Sequence, residues 1–168
     1  MGEDLVDPGV AGDRPPGDRA ELPYWFLVDS GGSLAGRLHS LRAFPGVRDV
    51  AVLVSRRTPQ SYREYLGQRQ YPTIERGDVH VDLRAALTAM AAEFGVQRVL
   101  VDSGPILTSV LLDAGLVDEV SVVVHPVVVG AGHGRIFGNA SRPAHLQARG
   151  RSDLPSGLVH LQYSVRQD

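Results

Sequence analysis

Two runs of consecutive apolar residues stand out in the first third of the chain. Residues 24–28 read YWFLV and residues 50–54 read VAVLV, both rich in β-branched or aromatic side chains. Runs of this length without polar interruption are typical of strands buried on both faces of a sheet. Between them, Leu38 and Leu41 share one face of a short helix that Pro45 ends. The pattern predicts two parallel strands joined by a helix.

Helical spacing dominates the middle of the chain. Residues 58–69 (TPQSYREYLGQR) predict a helix with Thr58 as N-cap and proline at the first helical position. Residues 82–95 (DLRAALTAMAAEFG) predict a second helix, with Asp82 as N-cap and Gly95 as its end. Residues 96–103 (VQRVLVDS) then predict a strand and residues 105–116 a helix.

The last third changes to β patterning. Residues 118–130 (DEVSVVVHPVVVG) form a β-branched run that predicts one long strand. Residues 144–153 and 158–167 alternate apolar and polar positions around the turn LPSG, which predicts a hairpin with one wet face. Strands that alternate with helices and then end in a hairpin predict an α/β domain. Its sheet is mostly parallel, flanked by helices, with a C-terminal antiparallel hairpin.

Length and composition restrict the domain organisation. Residues 1–22 mix charged residues, Gly and Pro with almost no large apolar side chains, so they are expected to form a flexible tail. The remaining residues, 23–168, are enough for one substantial core and too few for two, so one domain is expected.

Charge and composition exclude several classes of function. The net charge of −2 with scattered arginines argues against a nucleic-acid partner, and no apolar run reaches membrane-spanning length. The chain has no cysteine, and its six histidines show no metal-binding spacing, so no metal site is expected. A cytoplasmic location is expected.

The tetrapeptide VDSG occurs twice, at residues 28–31 and 101–104. Each copy follows an apolar run and precedes helical spacing. Such turns can present backbone N–H groups at a helix N-terminus to a phosphate. Alternatively, Asp102 and Ser103 serve only as helix caps. The residues that follow the two copies share nothing beyond apolar patterning, so the copies are not an internal repeat.

The stretch from Val99 to Gly130 resembles the reductase domain of riboflavin biosynthesis. The match consists of the second VDSG turn, a helix that ends in AGLVDE (residues 114–119), an apolar strand, and Pro126 followed by Gly130. Residues 23–38, 52–66 and 79–87 resemble the branch of this family that acts without a fused deaminase, and residues 157–166 resemble the family's final strand. The resemblance covers nearly everything after Leu22 and implies a dihydrofolate-reductase-like fold.

This resemblance implies NADPH-dependent reduction of a ribosylamino-pyrimidine phosphate to its ribitylamino form, and a homodimer. Asp102 matches an acidic position that faces the substrate, and Ser30 matches a position that contacts the cofactor. The cofactor's phosphates would lie over the helix after the second turn. The matching residues are Gly104, Pro105, Ile106, Leu107, Thr108, Ser109 and Val110. Pro105 removes one N–H donor, but the family carries either Gly or Pro there.

A hydroxyl and two guanidinium groups follow the second apolar run, at Ser55, Arg56 and Arg57. In this fold that position commonly holds the adenosine 2′-phosphate, and guanidinium groups suit a dianion. The three residues therefore predict a preference for NADPH over NADH. The alternative is a solvated strand end.

The family's domain normally begins with a strand that reads S-x-D-G-[KR] and continues into a substrate loop. Neither occurs in these 168 residues, and the resemblance assigns no catalytic residue to this chain. Two hypotheses remain open. The chain is a reductase, or the cofactor half of one; alternatively, it is a non-catalytic nucleotide-binding or dimerisation module derived from such a reductase.

Overall fold

A computed structural model of the chain describes residues 6–132 and 134–166. The chain divides into two compact units, which we name the N-terminal unit (Met1–Gln97) and the C-terminal unit (Arg98–Asp168). A single domain over residues 23–168 stays a prediction. Seven elements make up the N-terminal unit. They are α1 (Gly9–Gly12), β1 (Trp25–Val28), α2 (Leu38–Arg42), β2 (Val50–Val54), α3 (Gln60–Gln68), β3 (Thr73–Glu75) and α4 (Leu83–Phe94).

The three strands of the N-terminal unit form a parallel sheet in the order β1-β2-β3. All five residues of β2 are buried, as the apolar run predicted. Because side chains alternate along a strand, β2 contributes to two cores. Val52 and Val54 pack with Tyr62 on one face, while Leu53 packs with Met90 of α4 on the other. The sheet is therefore covered by helices on both sides.

The ends of two helices test the predicted caps. The Asp82 carboxylate accepts from the backbone N–H of Ala85 at 3.0 Å, and Gly95 ends α4 in the left-handed region with φ of 66°. Both predictions are confirmed. The predicted Thr58 cap is wrong, because Pro59 holds the N-cap position of α3. The Thr58 hydroxyl instead accepts from the N–H of Ser55 at 3.0 Å and closes the preceding turn.

The C-terminal unit contains one helix and a second sheet. Its elements are α5 (Pro105–Asp113), β4 (Glu119–Val124), β5 (Leu146–Asp153) and β6 (Val159–Val165). All strand pairs are antiparallel, in the order β4-β6-β5. The predicted C-terminal hairpin is confirmed, with a 3₁₀ turn at Pro155–Gly157. The α/β class is confirmed too, although the antiparallel strands form a separate sheet rather than one edge of the parallel sheet.

Two strand predictions for the second half of the chain need correction. Residues 96–103 form no strand, because no described strand pairs with them, and Leu100 is 88% exposed. An isolated extended segment has no ladder to satisfy its backbone groups. The predicted strand over residues 118–130 ends at Val124, shortly before Pro126, which cannot donate to a ladder.

A buried ionic cluster holds the segment before β1 against the N-terminal unit. The Asp13 side chain is 1% exposed and forms an ion pair with Arg42 at 3.2 Å. The Tyr71 hydroxyl donates to both Asp13 oxygens, at 2.8 and 2.7 Å. Arg42 also donates to Asp49 at 2.8 Å and stacks on the ring of Tyr71. Together with burial, the Asp13 carboxylate raises the pKa of Tyr71.

Asp13 lies inside the segment that was expected to be a flexible tail. Residues 1–5 of that tail lie outside the described residues. The composition of residues 1–22 gave no sign of a docked segment, because the contacts are made by single polar side chains. Asp13 pairs with Arg42, Asp7 pairs with Arg69 at 2.9 Å, and Arg19 donates to the carbonyl of Val47 at 3.1 Å. Flexibility of this segment stays a prediction, and Asp13 is its most buried anchor.

We expect Asp13→Asn to lower the free energy of unfolding by roughly 3 to 5 kcal/mol, because it leaves buried arginine groups without their carboxylate. Urea denaturation followed by circular dichroism measures this change. The exposed Glu21→Gln, which removes one negative charge from the same segment, is the matched control. Equal stability of the two variants would show that the segment is not anchored at Asp13.

Candidate functional site

The first VDSG turn follows β1 directly and is organised by Asp29. The carboxylate, in a residue that is 6% exposed, accepts from the N–H and hydroxyl of Ser33, each at 3.0 Å, and from the N–H of Leu34 at 2.9 Å. Burial by itself would raise the pKa of Asp29, but the bonds from Leu34 and Ser33 outweigh it and lower the pKa. Asp29 therefore shapes the loop, and Ser30 beside it is half-buried.

Gly32 allows this loop to lie directly on Tyr62. Its φ is 74°, and a Cβ atom at this position would stand 2.9 Å from Cγ of the Tyr62 ring. Only glycine fits both the left-handed backbone and the close approach. Burial raises the pKa of Tyr62, and the Asp29 carboxylate raises it further.

The turn after β2 holds the predicted 2′-phosphate residues. Ser55 is fully buried, and its hydroxyl donates to the carbonyl of Val79 at 3.0 Å, so this proton is already used. The N–H of Arg56 donates to the carbonyl of Gly77 at 3.1 Å, and the N–H of Arg57 donates to the carbonyl of Asp78 at 3.0 Å. Two backbone bonds thus fix the arginine pair to the neighbouring loop.

Arg63 of α3 stabilises the turn after β2 through its side chain. Its guanidinium donates to the carbonyls of Ser55 and Thr58, each at 3.1 Å, and to the carbonyl of Arg56. It also forms an ion pair with Glu75 of β3 at 2.7 Å. Sequence patterns did not single out Arg63, because the carbonyls that it contacts lie five to eight residues back along the chain and follow no motif.

Gly77, whose carbonyl accepts from the N–H of Arg56, is a second residue that sequence patterns did not single out. Its φ is 89°, and an added Cβ would lie 2.2 Å from the carbonyl oxygen of His80. Any other residue would push the loop away from the arginine pair. The dipeptide Arg76-Gly77 after a short strand was the available signal.

The side chains of Arg56 and Arg57 remain exposed. Among residues 6–132 and 134–166, neither forms an ion pair. The turn therefore presents two uncompensated guanidinium groups on a backbone that is fixed from both sides, which is a suitable arrangement for a phosphate dianion.

The second VDSG turn lies in the C-terminal unit, at the start of α5. Gly104 is the N-cap, Pro105 is the first helical residue, and no side chain caps the helix. The Ser103 and Thr108 hydroxyls lie 3.3 Å apart, and Thr108 donates to the carbonyl of Gly104 at 3.2 Å. The capping alternative for Asp102 and Ser103 is therefore wrong, and the first N–H groups of α5 remain without a side-chain cap.

The predicted phosphate residues on α5 divide between two faces. Gly104, Pro105, Ile106 and Val110 are exposed, whereas Ser109 is 1% exposed and its hydroxyl lacks a partner within the described chain. Leu107 and Thr108 are half-buried, and Asp102 is exposed. A ligand on the open side of this helix would contact its first turn rather than Ser109.

A recess of the C-terminal unit lies elsewhere. It measures about 460 Å³ and is lined by residues that include Leu112, Val120, Phe137 and Leu146. Leu112 belongs to the last turn of α5, at the opposite end of the helix from Gly104. The recess is mostly apolar and open, so its position and lining do not suit a dinucleotide phosphate.

No group of three or more potential metal-ligating His, Asp or Glu side chains occurs within the described ranges. In the same ranges, no helix combines the length and the apolar character that a membrane crossing requires.

Comparison with solved structures shows the class of fold. A pyrimidine reductase-like protein from Corynebacterium diphtheriae aligns with a TM-score of 0.69 at 20% identity, over 88% of this chain and 62% of its own. Two forms of Acinetobacter baumannii RibD align with TM-scores of 0.63 at 18% identity. They cover 86% and 85% of this chain and 37% of their own in each case. The chain thus has a reductase-like α/β fold.

The family follows from the sequence model of the RibD C-terminal domain, which matches residues 36–160. Because this match covers well over half of the chain, the protein belongs to the RibD C-terminal domain family. No curated protein matches the chain. The chain spans 62% of the Corynebacterium protein and 37% of the Acinetobacter RibD chains.

We expect Asp29→Asn to remove part of the acid sensitivity of folding. The pKa of Asp29 is lowered from its usual 3.8, so its contribution is complete above that pH and is lost as pH falls through the folded value. The stability difference between the parent and Asp29→Asn should shrink as pH drops below about 3.8, measured by thermal unfolding. Exposed Asp118→Asn is the control; a difference that does not change with pH would contradict this role.

Proposed function

We propose that this chain binds NADPH and serves the reduction of a ribosylamino-pyrimidine phosphate to its ribitylamino form. Membership of the RibD C-terminal domain family supports a riboflavin-biosynthesis reductase. The single observation that carries the cofactor assignment is the exposed, unpaired arginine pair at Arg56 and Arg57, held by backbone bonds to Gly77 and Asp78.

The arginine pair suits the 2′-phosphate, which distinguishes NADPH from NADH. Guanidinium groups donate in a planar fork that matches phosphate oxygens, and such charge-assisted bonds are the stronger ones. Arg56 and Arg57 would meet this dianion with no competing carboxylate among the described residues. Ser55 contributes to the shape of the turn, because its hydroxyl donates to Val79.

The N-terminus of α5, taken by itself, suits a phosphate group. Its first N–H groups carry no side-chain cap, and the helix dipole favours an anion there. Pro105 supplies the fixed φ of the first helical position at the cost of one N–H donor. Ser30 is proposed as a further cofactor contact, and exposed Asp102 as a residue that faces the substrate.

NADPH would supply the hydride, and the residues of this chain would bind and orient it. Hydride transfer depends on close placement of the donor and acceptor carbons, so positioning carries most of the rate. We assign no catalytic acid. Asp29, which directly follows β1 in the sequence, already accepts three hydrogen bonds within its own loop.

The Asp29 carboxylate is already hydrogen-bonded within its loop, which favours a second candidate function. This function is a nucleotide-binding or dimerisation module without catalytic activity. In this proposal the chain binds a nucleotide phosphate through the arginine pair, and no residue of the chain contributes to proton transfer. The cytoplasmic location and the homodimer remain predictions from sequence under both proposals.

We expect the purified chain to bind NADPH more tightly than NADH in fluorescence or calorimetric titrations. Arg56→Ala and Arg57→Ala should each weaken NADPH binding roughly tenfold and leave NADH binding unchanged, because only NADPH has the phosphate that they would contact. The control is Arg149→Ala, which removes an exposed arginine from β5. Equal and negligible affinity for both cofactors would overturn the assignment.

Turnover separates the two candidate functions. We expect weak or no oxidation of NADPH by the isolated chain with the ribosylamino-pyrimidine phosphate, even where NADPH binds. Measurable oxidation that requires this substrate supports the reductase. Binding of NADPH in the titration without any oxidation supports the module.

A further inference from the structure

The two peptide planes that flank Arg56 are each held at both ends. Arg63 donates to the carbonyls of Ser55 and Arg56, which are the oxygen ends of these planes. The N–H groups of Arg56 and Arg57 are the nitrogen ends, and they donate to carbonyls of the loop after β3 at 3.1 and 3.0 Å. Because a peptide unit is planar, bonds at its two ends fix its orientation. The backbone that carries the arginine pair is therefore set by Arg63 and that loop together.

The guanidinium of Arg63 reaches this backbone from a rigid support. Tyr62 and Leu66, on the same helix α3, are buried and pack in the core with the valines of β2. Because protein cores are close-packed, α3 cannot shift without displacing these side chains. The position of Arg63, and with it the position of the turn after β2, is thus tied to the core of the N-terminal unit.

Arg63 is engaged on all three of its guanidinium nitrogens. Nε donates to the carbonyl of Thr58, and Nη2 donates to the carbonyls of Ser55 and Arg56. Nη1 forms the ion pair with Glu75 at 2.7 Å. The Glu75 carboxylate offsets the charge of Arg63, so Arg63 adds little net attraction for an anion at the turn. Its effect on a bound phosphate passes through the backbone that it holds.

The carbonyl oxygens that converge on Arg63 need a cation between them. They carry partial negative charges, so with a neutral side chain at position 63 they would repel one another and also repel an anion beside them. The turn would then relax and change the spacing of Arg56 and Arg57. Guanidinium groups bind a phosphate strongly only where their N–H groups match its oxygens, so a change in spacing costs affinity.

We propose that Arg63 is a positioning residue, which sets the preference for NADPH over NADH by holding Arg56 and Arg57 in place for the 2′-phosphate. This role rests on the proposed function, because only NADPH has that phosphate. Arg63 raises the affinity for NADPH without contact with the cofactor, and the affinity for NADH does not depend on it.

The test compares NADPH and NADH titrations of the parent chain with those of variants at position 63. Arg63→Gln should weaken NADPH binding by roughly threefold to thirtyfold and leave NADH binding unchanged, because it removes the charge-assisted bonds that order the phosphate turn. Arg63→Lys keeps the charge, but one ammonium group cannot replace a planar fork, so it should recover only part of the lost affinity. Arg76→Gln is the matched control and should leave both affinities unchanged, since the Arg76 side chain contacts Glu75 and Glu93 instead.

Two further measurements show whether Arg63 acts through the arginine pair. In a chain that carries Arg56→Ala and Arg57→Ala, adding Arg63→Gln should change NADPH binding by less than about twofold, because the groups that it positions are gone. Hydrogen exchange monitors the turn in the absence of cofactor. The amides of Arg56 and Arg57 should exchange faster in Arg63→Gln, whereas the amide of Val52 inside β2 should keep its rate.

The outcomes distinguish the positioning role from the proposed function. A parent chain without a preference for NADPH overturns both. A parent that prefers NADPH, together with an Arg63→Gln variant of unchanged preference, overturns the positioning role alone. Full recovery by Arg63→Lys, an equal loss in Arg76→Gln, or an undiminished effect in the chain without the arginine pair also overturns it. Circular dichroism confirms that each variant is folded, and Arg63→Lys carries the comparison where Arg63→Gln does not fold.

Discussion

Burial of β2 on both faces is the constraint on which the N-terminal unit depends. All five residues of VAVLV are apolar and buried, so helices must cover both sides of the sheet. Helix α3 supplies Tyr62 and Leu66 to one face, and α4 supplies Met90 to the other. Polar residues are thereby excluded from the strand and placed at its end. Arg56 and Arg57 stand there because β2 ends there.

The two VDSG turns show how one tetrapeptide serves different purposes in different surroundings. In the first copy, Asp29 is buried and accepts bonds from Ser33 and Leu34, so its carboxylate organises a loop. In the second copy, Asp102 is exposed and Gly104 occupies the N-cap. The difference comes from tertiary contacts. The loop of the first copy lies against the ring of Tyr62, whereas in the second copy no side chain caps the helix that follows.

The features that prediction missed are those made by contacts between distant positions. Asp13 in a polar segment becomes buried because Arg42 and Tyr71 present complementary groups to it. Arg63 stabilises the arginine turn through backbone carbonyls, which no residue pattern records. The segment at residues 96–103 has every local property of a strand, yet strand formation also requires a neighbour, and the described chain offers none.

The sequence by itself determined the local elements of this protein. The apolar runs of β1 and β2, the cap at Asp82, the stop at Gly95 and the hairpin pattern depend on neighbours along the chain, and these formed where predicted. The Thr58 cap and the strand over residues 96–103 did not form. Tertiary structure decided the division into two sheets, the docking of Asp13, and which polar groups stay free. These depend on which surfaces meet, because a hydrogen bond or an ion pair is satisfied by a partner in space rather than by a neighbour in sequence.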